Sequence, residues 1–362
     1  MSLRVLFVDD EPNVLRSLAR MIRIQRLAWE PGFAPSGEEA LAQLETQTYD
    51  AVITDLTMCE MDGITLLAEV RARWPQVSRA VLSGQCTVAQ SLRAAEVAHQ
   101  FLAKPCDGAL LRRTVERLSW IRTLGVSPAL ERAAAGLSCL PSPQGIHAGV
   151  QSAVAAAASL DDVGQLADAD VALTAKLVQL VSTSFFTLAA PVGSARGALE
   201  VLGSHVAHLV LASPDGVRPA EERTARPGLE LDHLCARSGR AARMARQSAP
   251  CELADRAYTA TLLHDVGRLV LASALAAGGG VDVDPTAHAT DLAAVGGYLL
   301  GLWGLPDDIV AAVTYQGAPD AAPVEHRALA ALVHAARACG QEPTQACQPT
   351  SSPAGVKPQP CS

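Results

Sequence analysis

The stretch RVLFVDDEP (residues 4–12) passes from a short apolar run directly into two acidic residues and a proline. Similar β-rich runs follow at AVIT (51–54), RAVL (79–82) and QFLA (100–103), a weaker one is predicted at about 29–34, and helical patterns separate them. The runs are continuously apolar rather than alternating, which indicates strands buried on both faces. The sequence therefore predicts an α/β domain with a doubly wound, five-stranded parallel sheet.

Length and composition indicate a second domain. The chain has 362 residues, which at roughly 150 residues per domain is enough for two hydrophobic cores. Beyond residue 138, Ala- and Leu-rich helical stretches are punctuated by Gly and Pro, and no convincing strand recurs. We predict the α/β domain over 1–122, a linker over 123–137, an all-helical domain over 138–340 and a disordered tail over 341–362.

Composition and motifs exclude several classes of protein. With 49% hydrophobic residues, 18% charged residues and a net charge of -8, the chain is neither disordered throughout nor coated in basic nucleic-acid-binding surface. Its nine cysteines never form a Cys-x-x-Cys pair, which argues against a disulfide framework or a thiolate zinc site. No uncharged apolar run reaches the roughly 18 residues that span a bilayer, and the N-terminus becomes acidic too early for a signal peptide. We therefore expect a cytoplasmic protein with no membrane association.

Polar side chains stand where the predicted strands end. Asp9 and Asp10 follow the first strand, Asp55 the third, Ser83 the fourth and Lys104 the fifth. In a doubly wound sheet, ligands bind at these carboxyl ends. Three converging carboxylates repel one another, so Mg²⁺, a divalent cation that prefers oxygen ligands, is the expected compensation. Such a site suits phosphoryl transfer to the central Asp55, with Lys104 as a second cation and Ser83 as a hydrogen-bond donor.

These features resemble the receiver domain of two-component response regulators, which has a flavodoxin-like fold. The resemblance covers residues 3 to about 120. It rests on four segments in the right order, which are VDDEP (8–12), TDLTMCEMDG (54–63), LSG (82–84) and FLAKP (101–105). It implies a magnesium-dependent domain that is phosphorylated by a partner histidine kinase.

The resemblance assigns roles to the residues of the acidic site. It implies that Asp55 accepts the phosphoryl group and that Lys104 contacts that group. Asp10 and Asp55 would bind Mg²⁺ directly together with the carbonyl of Thr57. Asp9 would assist the metal through a water molecule.

A second set of implied roles concerns switching. Ser83 completes the catalytic set with Asp55 and Lys104, and it forms a switch pair with Phe101. Phe101 replaces a tyrosine found in some members of the family, and Cys59 stands where the family usually has proline. Neither departure removes a chemical group from the site.

An adjacent His-Asp pair marks the predicted helical domain. His264 and Asp265 lie in TATLLHDVGRLVLASAL, and His233 lies upstream. Imidazole and carboxylate groups on converging helices suit several divalent ions, although three ligands are not a full set. The arrangement resembles the HD phosphohydrolases, whose members use a His, a His-Asp pair and a later Asp around one or two metals.

The helical region resembles more specifically the HDOD domain, a usually non-catalytic output relative of those enzymes. Four segments between about 138 and 338 carry the resemblance, namely 166–186, 191–203, 262–275 and 295–313. Arg337 or its neighbour Ala336 stands where a catalytic HD protein has its last Asp, and Gln316 stands where a further His is common. The loss of ligands argues against turnover, so we expect a structural His264–Asp265 hydrogen bond and no second metal in this cleft.

Arginines recur every three residues after His233, at positions 237, 240, 243 and 246. On one helix, Arg237 and Arg240 fall four and seven positions after His233, where they would line an anion site beside the cleft. The preferred interpretation is a solvated helix face, because no aromatic residues interleave and no DNA-reading helix pair is recognisable. No nucleic-acid binding is therefore predicted.

We predict a response regulator in which phosphorylation of Asp55 switches a non-catalytic, protein-interaction output. The expected partners are a histidine kinase and an unidentified downstream protein, with a homodimer as an alternative outcome of activation. The competing hypothesis is an enzyme, a phosphorylation-gated and metal-dependent phosphohydrolase or phosphodiesterase that works at His233, His264 and Asp265.

Overall fold

Five parallel strands form the central sheet of the first domain, in the order β2-β1-β3-β4-β5. They are β1 (Leu3–Val8), β2 (Trp29–Ala34), β3 (Ala51–Asp55), β4 (Ser78–Ser83) and β5 (Gln100–Ala103). The whole of β4 is buried, as expected for an inner strand that is covered on both faces. This sheet confirms the predicted doubly wound α/β fold.

The computed structural model describes residues 3–24, 29–84, 90, 93–105, 108–156, 158–182, 192–212, 218–219, 231–276 and 289–340. The tail predicted at 341–362 lies outside these residues. Within them, no helix is long and apolar enough to cross a membrane.

Helices flank the sheet and position its carboxyl edge. The described helices of this domain are α1 (Pro12–Ile24), α2 (Gly37–Thr46), α3 (Gly63–Arg73) and α4 (Gly108–Arg122). Asp62 caps α3, because its carboxylate accepts the backbone N–H of Thr65 at 2.7 Å. A Cβ at Gly63 would collide with the backbone carbonyl oxygen of Asp55. Glycine therefore lets α3 begin directly against the end of β3.

In the residues that the structure describes, the second domain is helical apart from a two-residue parallel pair formed by β6 (Pro141–Ser142) and β7 (Arg218–Pro219). Its helices are α5 (Pro128–Gly136), α6 (Gln144–Ala155), α7 (Leu160–Ala167), α8 (Val171–Val181), α9 (Ala195–Ala212), α10 (Leu231–Ser248), α11 (Ala254–Leu262), α12 (Val266–Ala276), α13 (Ala289–Leu302), α14 (Asp307–Thr314) and α15 (Arg327–Gly340). The helical class predicted for this region is confirmed with that small exception.

The segment predicted as a linker, 123–137, is largely a packed helix. It contains α5, which packs against α12 and α13 and buries Ala134 and Ala135. The proline and glycine that suggested a joint have other roles, since Pro128 occupies the first turn of α5 and Gly136 is its last residue. Most of the predicted linker thus forms a helix that packs against helices of the second domain.

The two domains pack together along β5 and α4 of the first domain. Their buried apolar side chains belong to one continuous cluster, and α4 packs against α13. The side-chain hydrogen bonds that cross the interface include Arg79 Nη2 to Ala135 O (2.6 Å), Gln100 Nε2 to Leu302 O (3.0 Å) and Gln179 Nε2 to His99 O (3.2 Å). These bonds attach β4, β5 and the residue before β5 directly to the helical domain.

Lys176 on α8 is a buried cation in this interface. It is 3% exposed, and its ammonium donates to the carbonyl oxygens of Ala95 and Ser138, each at 3.0 Å. The ammonium also lies 5.8 Å from the ring centroid of Trp303. Burial lowers the pKa of Lys176 to about 8, because neutral carbonyls replace only part of the lost hydration. Burial of the Lys176 ammonium therefore destabilises the packed arrangement of the two domains.

Lys176→Met tests this cost through the pH dependence of stability. The pKa of Lys176 is about 8 in the folded protein, below the ordinary 10.5, so the unfolded chain binds more protons between these two pH values. We expect the free energy of unfolding of wild type to rise relative to that of Lys176→Met as the pH increases through this range. Urea unfolding of both proteins at several pH values measures the difference, and a difference independent of pH would contradict the burial of a charged lysine.

Candidate functional site

The three aspartates predicted at strand ends meet at one edge of the sheet. β1 and β3 are parallel neighbours, with Val8 opposite Thr54, so the residues that follow these two positions emerge side by side. Asp9, Asp10 and Asp55 each offer a carboxylate oxygen, and these oxygens lie within 4.8 Å of one another. Within the described part of the chain, no other trio of His, Cys, Asp or Glu side chains converges in this way.

Lys104 joins the carboxylates from the end of β5. Its Nζ lies 2.7 Å from Asp9 Oδ2 and 3.0 Å from Asp55 Oδ1, and its side chain is 20% exposed. Burial opposes the charge of Lys104, but hydrogen bonds to the two carboxylates outweigh it, so the pKa of Lys104 is raised. Burial raises the pKa of Asp55, and the neighbouring Lys104 offsets only part of that increase. The ammonium of Lys104 and the carboxylate of Asp55 therefore each favour the charged state of the other.

Backbone groups of two loops orient the first two aspartates. Asp9 Oδ1 accepts the N–H of Glu11 at 2.9 Å, and Asp10 Oδ2 accepts the N–H of Cys59 at 2.9 Å. The hydrogen bond from Cys59 is the main reason that the pKa of Asp10 is lowered. Proline at this position would have no N–H to donate. Cysteine in place of the usual proline thus gives the site one more hydrogen-bond donor, the backbone N–H of Cys59.

The remaining residues predicted for this site surround the same edge. Ser83 is buried at the end of β4, and Phe101 is buried on the neighbouring β5. The two strands pair in parallel, with Val81 opposite Phe101 and Ser83 opposite Ala103. Thr57 is exposed in the loop that follows β3. Their roles in switching and in metal binding stay predictions.

The donor set of this edge fits a hard divalent cation. Three carboxylates face one ammonium, which leaves two negative charges uncompensated at Asp9, Asp10 and Asp55. Mg²⁺ prefers oxygen ligands and balances two charges, whereas the cluster contains no thiolate or imidazole that would select a softer metal. The side chains therefore match the magnesium expected from the sequence.

The His-Asp pair of the second domain lies in a separate cleft, at the turn between α11 and α12. His264 Nε2 is 3.3 Å from Asp265 Oδ2, and His264 Nδ1 is 2.7 Å from the carbonyl oxygen of Thr261. Arg237 forms an ion pair with Asp265, and Arg268 Nε lies 3.1 Å from Asp265 Oδ1. Although burial raises the pKa of Asp265, these neighbouring positive groups lower it overall. The carboxylate is thus compensated by guanidinium groups.

The structure brings together only two of the three residues predicted for this cleft. His233 is exposed on α10, and one turn later Arg237 reaches Asp265 instead. The sequence favoured a solvated helix face for Arg237, whereas the structure pairs its guanidinium group with Asp265. Because Arg237 follows His233 by four residues, the two side chains lie on the same face of α10, one turn apart. The spacing alone does not show which of the two reaches the His-Asp pair.

The later positions of the cleft carry amide and guanidinium groups. Gln316 Nε2 donates to the carbonyl oxygen of His264 at 2.7 Å, and Arg337 Nη1 donates to Gln316 Oε1 at 3.2 Å. His334, one turn before Arg337 on α15, places Nδ1 2.8 Å from the carbonyl oxygen of Gln316. These contacts join α14 and α15 to the His-Asp turn without a further carboxylate.

Comparisons with known proteins cover both domains. The model of the response regulator receiver domain matches residues 5–116, and the model of the HDOD domain matches residues 140–319. The transcriptional regulatory protein ZraR of Salmonella typhimurium is 32% identical over 114 residues, which are 31% of this chain and 25% of ZraR. The transcriptional regulatory protein PrrA of Mycobacterium tuberculosis is 35% identical over 103 residues, which are 28% of this chain and 43% of PrrA. The match thus spans about a quarter to less than half of the length of these curated relatives.

A solved structure with similarity to the first domain is the signal receiver domain of an HD domain-containing protein from Pseudomonas fluorescens Pf-5. It is 26% identical, with a TM-score of 0.31. The alignment covers 33% of this chain and 99% of that domain.

Lys104→Met tests the charge balance at the sheet edge. The substitution leaves the buried carboxylate of Asp9 without its ammonium partner, and we expect a loss of about 3 kcal/mol in the free energy of unfolding at pH 7 in the presence of a chelator. The loss should shrink as the pH falls, because the carboxyl of Asp55, whose pKa is raised by burial, binds a proton and no longer needs the cation. Chemical unfolding at pH 7 and at pH 4 measures both effects. Arg20→Gln, which removes an exposed charge from α1, is the control, and equal stabilities for the two variants would contradict the proposed balance.

Proposed function

The chain belongs to the response regulators, with a receiver domain over residues 5–116 followed by an HDOD domain over residues 140–319, and on this premise we propose that phosphorylation of Asp55 controls the protein contacts of the HDOD domain. The observation that carries the proposal is the convergence of Asp9, Asp10 and Asp55 on the ammonium of Lys104. One partly exposed lysine among three carboxylates is an arrangement that suits phosphoryl transfer to one of them.

Asp55 is the proposed acceptor. Its carboxylate oxygen attacks the phosphorus of a phosphohistidine on a partner kinase, so that a new P–O bond forms as the P–N bond breaks and the imidazole leaves. Lys104 stabilises the negative charge on the transferred oxygens, and Ser83 donates a hydrogen bond to them. Asp10, Asp55 and the carbonyl of Thr57 are the proposed direct ligands of Mg²⁺, with Asp9 assisting through water. When bound, Mg²⁺ supplies positive charge next to the phosphoryl oxygens.

The proposed signal leaves the site along β5. Phe101 lies on this strand three residues before Lys104, and it borders a cavity of about 80 Å³ that Gln179 and Trp303 of the HDOD domain also line. A rotation of Phe101 toward Ser83 would therefore change a space shared by both domains. Gln100, the preceding residue, donates to the carbonyl oxygen of Leu302. A shift of β5 reaches the HDOD domain through this bond directly.

The interface is suited to open in response to a modest signal. The buried ammonium of Lys176 donates to two carbonyl oxygens and lies near a tryptophan ring, and separation of the domains would return its charge to water. Allosteric coupling of about 1–3 kcal/mol, which one charge-assisted network can supply, would then shift the population between packed and separated domains. The surface of α8 that becomes accessible is the proposed binding surface for a downstream protein.

Incubation with a small phosphodonor and Mg²⁺ tests the acceptor. We expect the intact protein to gain the mass of one phosphoryl group, with the modification mapped to Asp55 after borohydride reduction and proteolysis. The gain should disappear in Asp55→Asn and after chelation of the metal. Asp320→Asn, which changes an exposed aspartate of the other domain, should keep the full gain. A phosphoryl group found on any other residue, or none in wild type, would overturn the assignment.

A further inference from the structure

A polar cavity of about 50 Å³ lies in the HDOD domain beside the His-Asp turn. The polar residues that line it are His264, Asp265, Arg268, Gln316 and Arg337. Its volume exceeds the roughly 30 Å³ that one water molecule occupies in the liquid, so a group of a few heavy atoms fits. The proposed receiver chemistry uses none of these residues.

The charge around this cavity is unbalanced. Arg237 and Arg268 both pair with Asp265, which is the only carboxylate among the described residues that line the cavity. Arg337 donates to the neutral amide of Gln316. Burial lowers the pKa of His264, which leaves its imidazole neutral at neutral pH. Three guanidinium groups therefore surround one carboxylate, although only Arg268 and Arg337 line the cavity itself. Within this group of residues, two positive charges lack a counter-charge.

One donor of this group is also unused. The Nε of Arg237 is buried and has no hydrogen-bond partner in the described part of the chain. A buried guanidinium N–H without an acceptor is costly, and it adds to the cost of holding these positive charges together. The arginines come from three different helices, since Arg237 lies on α10, Arg268 on α12 and Arg337 on α15. The two guanidinium groups that line the cavity, those of Arg268 and Arg337, thus approach it from different helices.

From this charge and geometry we infer that the cavity binds a tetrahedral oxyanion, namely phosphate or the terminal phosphate of a nucleotide. The planar fork of a guanidinium group matches the oxygens of a phosphate, and a dianion balances the two uncompensated charges. The cavity holds the phosphate group alone, so a nucleoside would extend along the open side of the cleft. Binding here does not require Asp55 or Mg²⁺.

The test is calorimetric titration of the full, unphosphorylated chain with inorganic phosphate and, separately, with adenosine monophosphate, in a chelator and at constant ionic strength. We expect saturable binding to wild type. Arg268→Gln and Arg337→Gln should each weaken it about tenfold or more, because each removes a charged hydrogen-bond donor. Arg240→Gln is the matched control, since Arg240 is exposed on α10 and does not line the cavity.

The two ligands distinguish the source of the phosphate group. Binding of both ligands, with competition between them, identifies a nucleotide site, whereas binding of inorganic phosphate alone identifies a site for the free ion. Thermal unfolding confirms that each variant is folded. No saturable binding to wild type, or equal affinity in wild type and in both cavity variants, would overturn the inference.

Discussion

One ammonium group holds the acidic edge of the receiver domain together. Lys104 lies within hydrogen-bond distance of two carboxylates that come from different strands, and without it the buried charge of Asp9 would have no cationic partner in the described structure. The arrangement still leaves two negative charges over, which is the condition that favours a divalent cation. Charge balance thus explains both why the loops fold against one another and why this edge is suited to phosphoryl transfer.

The position of Lys104 also links the acidic site to the HDOD domain. It directly follows β5, the strand that carries Phe101 and Gln100, and Gln100 is bonded to the HDOD domain. In the same domain interface, the ammonium of Lys176 is buried and donates to carbonyl oxygens on both sides. The same short strand therefore ends at the acidic site and borders the domain interface, which is why we propose that a displacement at one end acts on the other.

Much of this could be predicted from the sequence, for identifiable reasons. Continuous apolar runs fix buried parallel strands, and residues that follow such strands must share an edge, so Asp9, Asp55 and Lys104 were placed by topology alone. Contacts between distant helices are not encoded in local spacing, which is why Arg237 was not assigned to Asp265. The helix in the segment 123–137 was missed because Pro128 and Gly136 mark helix ends as well as loops. The buried Lys176 gave no local signal at all.

Hydrogen–deuterium exchange with and without beryllofluoride and Mg²⁺ tests the central claim most directly, that a change of charge at Asp55 is transmitted through β5 to the HDOD domain. The account predicts faster exchange of backbone amides in α8 of the wild-type protein when beryllofluoride is bound, and no such change in Asp55→Asn. Protection of the amides around Asp55, which reports that the ligand has bound, together with unchanged exchange in α8 would contradict it.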